Sequence, residues 1–167
     1  MGTYMCAQVM KPGRDSLGNI ELEPIEELDD LWDFQSYDAF AILGGVRDYA
    51  NDYGRILPDH QRGLPPNMPV GEDIFSGVTW YGYDPSSDGA LVPYWKGKGH
   101  YSIRGWLTIH QLLQLNPDDE CNDLRENCRT TIGELAPTLF HAIKQTAEYL
   151  TNNEIDPESA YLVFGFD

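Results

Sequence analysis

The stretch Tyr94-Trp95-Lys96-Gly97-Lys98-Gly99-His100 sets cations, aromatic rings and glycines side by side. Lysine ammonium groups hold phosphate or carboxylate through charge-assisted hydrogen bonds. Aromatic rings stack on nucleobases, contributing about 1–3 kcal/mol per base. Glycines let backbone N–H groups come close to an anion. Together these are the parts of a site for a small, nucleotide-like anion. They also suit a surface loop whose lysines pair with an acidic body. Tyr101 and Arg104 follow directly. A strand over 100–106 would put His100 and Arg104 on one face, as the positive floor of a pocket. Tyr101 and Ile103 would then pack on the other face. Upstream, Arg62 in Arg62-Gly63-Leu64-Pro65 offers a bidentate fork for an anion or for one of many carboxylates. Arg47 closes an apolar helical segment, where it complements the helix dipole or joins the same site.

The charge distribution sharpens this reading. The chain has 167 residues, with 27 Asp and Glu against 11 Lys and Arg, for a net charge of −16. Yet no Asp or Glu occurs between Gly89 and Pro117. That window holds Lys96, Lys98, His100, Arg104 and His110, interleaved with Tyr94, Trp95, Tyr101 and Trp106. A field of this overall sign repels phosphate backbones at long range. Binding to duplex nucleic acid or to an anionic membrane is therefore not expected. Three cysteines, Cys6, Cys121 and Cys128, form no CxxC pair and no disulfide framework pattern. Met1–Met10 lacks the basic start and apolar run of a secretory signal. No stretch reaches the roughly 20 apolar residues that span a bilayer. The expected compartment is a reducing cytoplasm.

Catalytic motifs are sparse. His100-Tyr101-Ser102 has the His-x-Ser form of two-histidine phosphoesterases, which need one histidine as base and one as acid. His60, His110 and His141 have no Ser or Thr two residues on. There is no nucleophile elbow, P-loop, dinucleotide fingerprint or HExxH. Neither a cofactor nor a resident metal is expected.

These residues need elements to position them. Thr3–Met10 and Ile20–Leu22 read as strands joined by a turn-rich connection. Glu23–Asp33 reads as a solvated acidic segment with Leu28, Leu31 and Trp32 tucked in. Ser36 caps a helix over Tyr37–Ala50. Residues 51–75 and 84–99 read as long loops, separated by a short strand at Thr79–Tyr83. His100–Trp106 reads as a strand, and Thr108 as the cap of a helix to Leu115. Asn116–Asn127 is polar. A longer helix runs from Thr131 to Asn152, with Leu135, Leu139, Phe140, Ile143, Ala147 and Leu150 on its buried side. Tyr161–Phe166 is too apolar for an exposed edge, so it is expected at the centre of its sheet. The expected fold is one α+β domain over 1–167, a small, mainly antiparallel sheet packed against two main helices.

Several segments resemble a family of uncharacterised bacteriophage and prophage accessory proteins. They are Met5-Cys6, the helix Tyr37-Asp38-Ala39-Phe40-Ala41-Ile42-Leu43-Gly44-Gly45-Val46-Arg47, the loop Arg62-Gly63-Leu64-Pro65, the strand end Trp106-Leu107-Thr108 and the terminus Leu162-Val163-Phe164-Gly165-Phe166-Asp167. The resemblance implies an origin in an infected bacterial cytoplasm and, by analogy, a role against host defence. The leading expectation is a non-catalytic sponge that sequesters a nucleotide-derived immune signal, such as a cyclic nucleotide. Its candidate ligand-binding residues are Arg47, Arg62, Tyr94, Trp95, Lys96, Lys98, His100, Tyr101 and Arg104. One alternative is a phosphodiesterase using His100, with Arg104 steadying charge. Another is an interaction protein whose acids at Glu23–Asp33 mimic nucleic acid and block a host protein. A homo-oligomer is compatible with each.

Overall fold

The computed structural model describes residues 5–44, 61–62, 65–68, 73–75, 78–81, 94–97 and 103–166. Its strands are β1 (Met5–Arg14), β2 (Ile20–Pro24), β3 (Gln61–Arg62), β4 (Asp73–Phe75), β5 (Val78–Tyr81), β6 (Tyr94–Gly97), β7 (Ile103–Thr108), β8 (Glu120–Asp123), β9 (Cys128–Thr131) and β10 (Tyr161–Phe166). A 3-10 helix, η1, spans Glu26–Trp32. The α-helices are α1 (Tyr37–Gly44), α2 (Ile109–Leu113), α3 (Ile132–Leu135) and α4 (Pro137–Asn152). The fold is α+β, as expected.

β10 is the middle strand of a five-stranded antiparallel sheet in the order β2-β1-β10-β7-β3. Leu162, Val163 and Phe164 are all fully buried, so both faces of this strand are covered. That explains an uninterrupted apolar run where a half-solvated strand would alternate. Register assigns the two faces. Val9 pairs with Leu162, Leu162 with Leu107, and Ala7 with Phe164. These residues join one core with Ile42, Leu43, Leu112, Leu139, Ile143 and Leu150 from the helices. The alternate face carries Met10, Val163 and Trp106, also buried but outside that cluster. There Trp106 meets Tyr161 edge to face, with ring centroids 5.4 Å apart.

Local signals set the helix ends. The Ser36 hydroxyl accepts from the Ala39 N–H at 3.2 Å. Thr108 and Gln111 form a reciprocal capping box at the start of α2, with bonds of 3.0 and 2.9 Å. Thr131 accepts from the Glu134 N–H. The helix expected from Thr131 to Asn152 is two pieces, because Ala136 leaves helical geometry just before Pro137. The proline lacks an N–H and suits the first position of a new helix. η1 contributes Leu28 and Trp32 to the core, and the Trp32 indole N–H donates to the Thr146 hydroxyl of α4 at 3.0 Å. α1 is described only to Gly44, so the rest of the helix expected to Ala50 lies outside the described residues.

Other elements differ from expectation, among them β3 and β4, which lie in the segment 51–75 read as a loop. β1 continues through Pro12-Gly13 to Arg14, pairing with β2 up to Arg14↔Ile20. Pro12 is tolerated because this end of β1 lies away from the centre of the sheet. The polar stretch after Asn116 forms a hairpin, β8–β9, with Cys121 and Asp123 buried. Tyr94–Gly97 is a strand inside the segment read as a loop. It belongs to a second, three-stranded antiparallel sheet, β4-β5-β6.

Candidate functional site

The three-stranded sheet sorts its side-chain types by register. Tyr81 pairs with Tyr94, Trp80 with Trp95, Thr79 with Lys96 and Val78 with Gly97. On the outer side Asp73 pairs with Thr79 and Phe75 with Val78, across a bulge that shifts the register by one residue. Directly paired residues share a face, and alternation along a strand sends neighbours to opposite faces. One face therefore holds Phe75, Val78, Trp80, Trp95 and Gly97, and is apolar throughout. The other holds Asp73, Thr79, Tyr81, Tyr94 and Lys96, and is polar or amphipathic throughout. A one-residue slip would mix the two sets, so the pairing itself makes the sheet amphipathic.

This divides the predicted site. Tyr94 and Lys96 share a face, and register brings Tyr81 and Thr79 beside them. Trp95 falls on the alternate, apolar face with Trp80. Tyr81 and Thr79 lie outside the cation-rich island and were missed. Their segment already read as a strand, and two aromatic pairs spaced to match were the signal that could have found them. An aromatic pair next to a cation can stack a planar ring and hold an anion.

The two candidate-site arginines placed in the five-stranded sheet, Arg62 and Arg104, are near in register but on opposite faces. Arg62 pairs with Gly105, whereas Arg104 pairs with Gly165. Arg104 thus takes the alternation of Trp106 and Val163, both buried, and Ile103 takes that of Leu107 in the main core. The strand starts at Ile103, later than expected. The positions of Ile103 and Arg104 keep the expected separation of faces, but the face that carries Arg104 is covered at Trp106. Arg47, Lys98, His100 and Tyr101 lie outside the described residues, and with them the His100 phosphodiesterase arrangement.

Two polar clusters elsewhere are structural in geometry. The Arg125 guanidinium, in the β8–β9 turn, donates to both carboxylate oxygens of Asp38 in the first turn of α1, at 2.9 and 3.1 Å. It also reaches Asp123, whose Oδ1 accepts the Arg125 backbone N–H at 3.0 Å. Burial pushes the Asp123 carboxyl up, but the Arg125 backbone and side-chain hydrogen bonds and the Glu126 N–H outweigh it and hold the pKa below the ordinary value. Elsewhere, Gln8 is 6% exposed and donates from Nε2 to Asp29 at 3.3 Å, while its Oε1 has no partner among the described residues. Burial raises the Asp29 carboxyl above its ordinary value. The Gln8 hydrogen bond opposes this, and Glu26, Asp30 and Glu27 add to the rise. Among the described residues, no three His, Cys, Asp or Glu side chains are grouped to hold a metal ion, and no helix is long and apolar enough to cross a membrane.

No protein-family model, no curated protein and no solved structure matches this chain.

Proposed function

We propose that the protein binds a small anionic, nucleotide-like ligand and releases it unchanged. The observation that carries this reading is the β5–β6 register, which gathers Tyr81, Tyr94, Thr79 and Lys96 on one face of a sheet. Rings stack on a base, and the ammonium and hydroxyl hold an anion. Both strands lack acids and Lys96 lies in the acid-free window, so an anion meets less repulsion there than elsewhere on a chain of net charge −16. The phage resemblance supplies a biological setting for such a binder, an accessory protein that withholds a nucleotide-derived immune signal in an infected bacterial cytoplasm.

Thermal unfolding against cyclic dinucleotides, ADP-ribose derivatives and mononucleotides tests the reading. Binding to the native state alone raises stability by about 2.7 kcal/mol at a hundredfold excess over Kd. At least one stabiliser is expected, recovered intact after heat denaturation. A cleaved product with turnover would establish the phosphodiesterase instead. Unchanged melting across the whole panel would remove the binding reading.

A further inference from the structure

The polar face of the three-stranded sheet has a second regularity, in the spacing of its rows. The Tyr81–Tyr94 pair and the Thr79–Lys96 pair are successive same-face rows of one ladder. Such rows lie two residues apart, about 6.8 Å along the strands. Within a row, paired residues stand about 4.5–5.5 Å apart at Cβ. The face thus offers an aromatic row and, one row away, a row with an ammonium and a hydroxyl. That offset matches a nucleobase and its own 5′-phosphate. It is too short for a base and the terminal phosphate of a triphosphate. The charges agree with this. Among the described residues of the sheet, Lys96 is the one cation, and Asp73 stands in the same row two strands away, about 9–10 Å across the sheet. One cation serves one phosphoryl group rather than a chain of them, and the carboxylate opposes further negative charge.

We infer that the β5–β6 face recognises a single nucleotide unit, one base bearing one 5′-phosphoryl group, with Tyr81 and Tyr94 as the base row and Thr79 and Lys96 as the phosphate row. This rests on the proposal that the protein binds nucleotide-like anions, and it narrows the ligand to a monophosphate or to one half of a cyclic dinucleotide. Trp80 and Trp95 belong to the apolar face and take no part in this assignment.

Isothermal titration of the full chain with AMP, adenosine, ATP and cyclic di-AMP tests the assignment. AMP is expected to bind at least tenfold tighter than adenosine, and ATP no tighter than AMP. Removing a charge-assisted contact costs roughly ten- to a hundredfold. Lys96→Gln should therefore erase the advantage of AMP over adenosine, and Lys96→Arg should keep most of it. Tyr94→Leu should weaken AMP and adenosine by equal factors. Circular dichroism of each variant confirms that it is folded, and Lys96→Arg keeps the test decisive if Lys96→Gln is not. If AMP and cyclic di-AMP both bind, the unit is read alike from either source. If cyclic di-AMP binds and AMP does not, the single-unit inference falls and the broader binding proposal stands. Adenosine binding as well as AMP, or ATP binding tighter, also overturns the inference. If none of the four binds, the inference falls, and the broader panel decides the proposal.

Discussion

The two sheets solve opposite problems. In the five-stranded sheet, Leu162, Val163 and Phe164 alternate between faces yet are all buried, so neither face at its centre is free. In the three-stranded sheet, register puts Trp80 and Trp95 on one face and Tyr81, Tyr94 and Lys96 on the other. A sheet buried on both sides reads as a continuous apolar run, while one with a solvated side reads as alternation. The first arrangement suits a rigid scaffold. The second sorts its residues by face, which is the arrangement the proposed ligand site uses. The contrast separates substitutions that should unfold the protein from those that should only empty a site.

The largest effect is expected at the centre of the scaffold. Phe164→Ala deletes a ring from the main core and should destabilise by about 3–5 kcal/mol, measured by urea unfolding. A change near zero would mean that β10 does not hold the core together.

The second expectation splits the small sheet by face. Trp95→Ser, on the apolar face, is expected to lower the melting temperature clearly and to leave nucleotide binding by the folded protein unchanged. Tyr94→Ser should leave the melting temperature of the free protein nearly unchanged, but weaken nucleotide binding about tenfold, one base-stacking contribution. Equal melting shifts in the two variants would remove the distinction between the faces.

A third, smaller effect concerns the tie between the β8–β9 turn and α1. Arg125→Met removes the guanidinium that bridges Asp38 and Asp123. The melting temperature should fall by roughly 2–5 °C at neutral pH. The folded-state pKa of Asp123 is lowered, so its stabilisation is present above the ordinary carboxylate pKa and is lost as pH falls through the folded value. Wild type should therefore lose more stability on acidification than Arg125→Met, and parallel pH curves would argue against the tie.

The smallest effect is a gain. The raised pKa of Asp29 has the opposite sign, because the folded state then favours the protonated carboxyl. Its contribution falls as pH rises from the ordinary value through the folded one. Asp29→Asn removes the charge and supplies an amide donor that can reach the unpartnered Gln8 Oε1 after side-chain reorientation. With solvent screening, a gain of under about 1 kcal/mol is expected at pH 7, shrinking towards pH 3. A loss at pH 7 would show that ionised Asp29 supports the fold.

Signals carried by neighbouring residues were legible from the chain alone. Ser36, Thr108 and Thr131 announced helix starts because a capping hydroxyl acts within three residues. Tyr161–Phe166 announced a central strand because its apolar run needs cover on both sides. The composition of the Lys96 island suggested the anion site that the proposed function takes up. Which residues of another strand join Tyr94 and Lys96 on one face was not legible. Tyr81 and Tyr94 are separated by a long stretch of chain, and either register of β5 on β6 satisfies the local pattern equally well. A slip of one residue would put Trp80 instead of Tyr81 on the face of Tyr94 and Lys96. The same holds for Arg62 and Arg104, whose opposite faces follow from the pairing Arg62↔Gly105. The polar run Glu120–Thr131 is a hairpin whose turn residue Arg125 meets Asp38 across the fold, a contact no local pattern encodes. Local propensity and burial demand are properties of short windows, and these the chain determined by itself. Pairing register and long-range ion contacts depend on what the rest of the protein places opposite, and only the tertiary structure decided them.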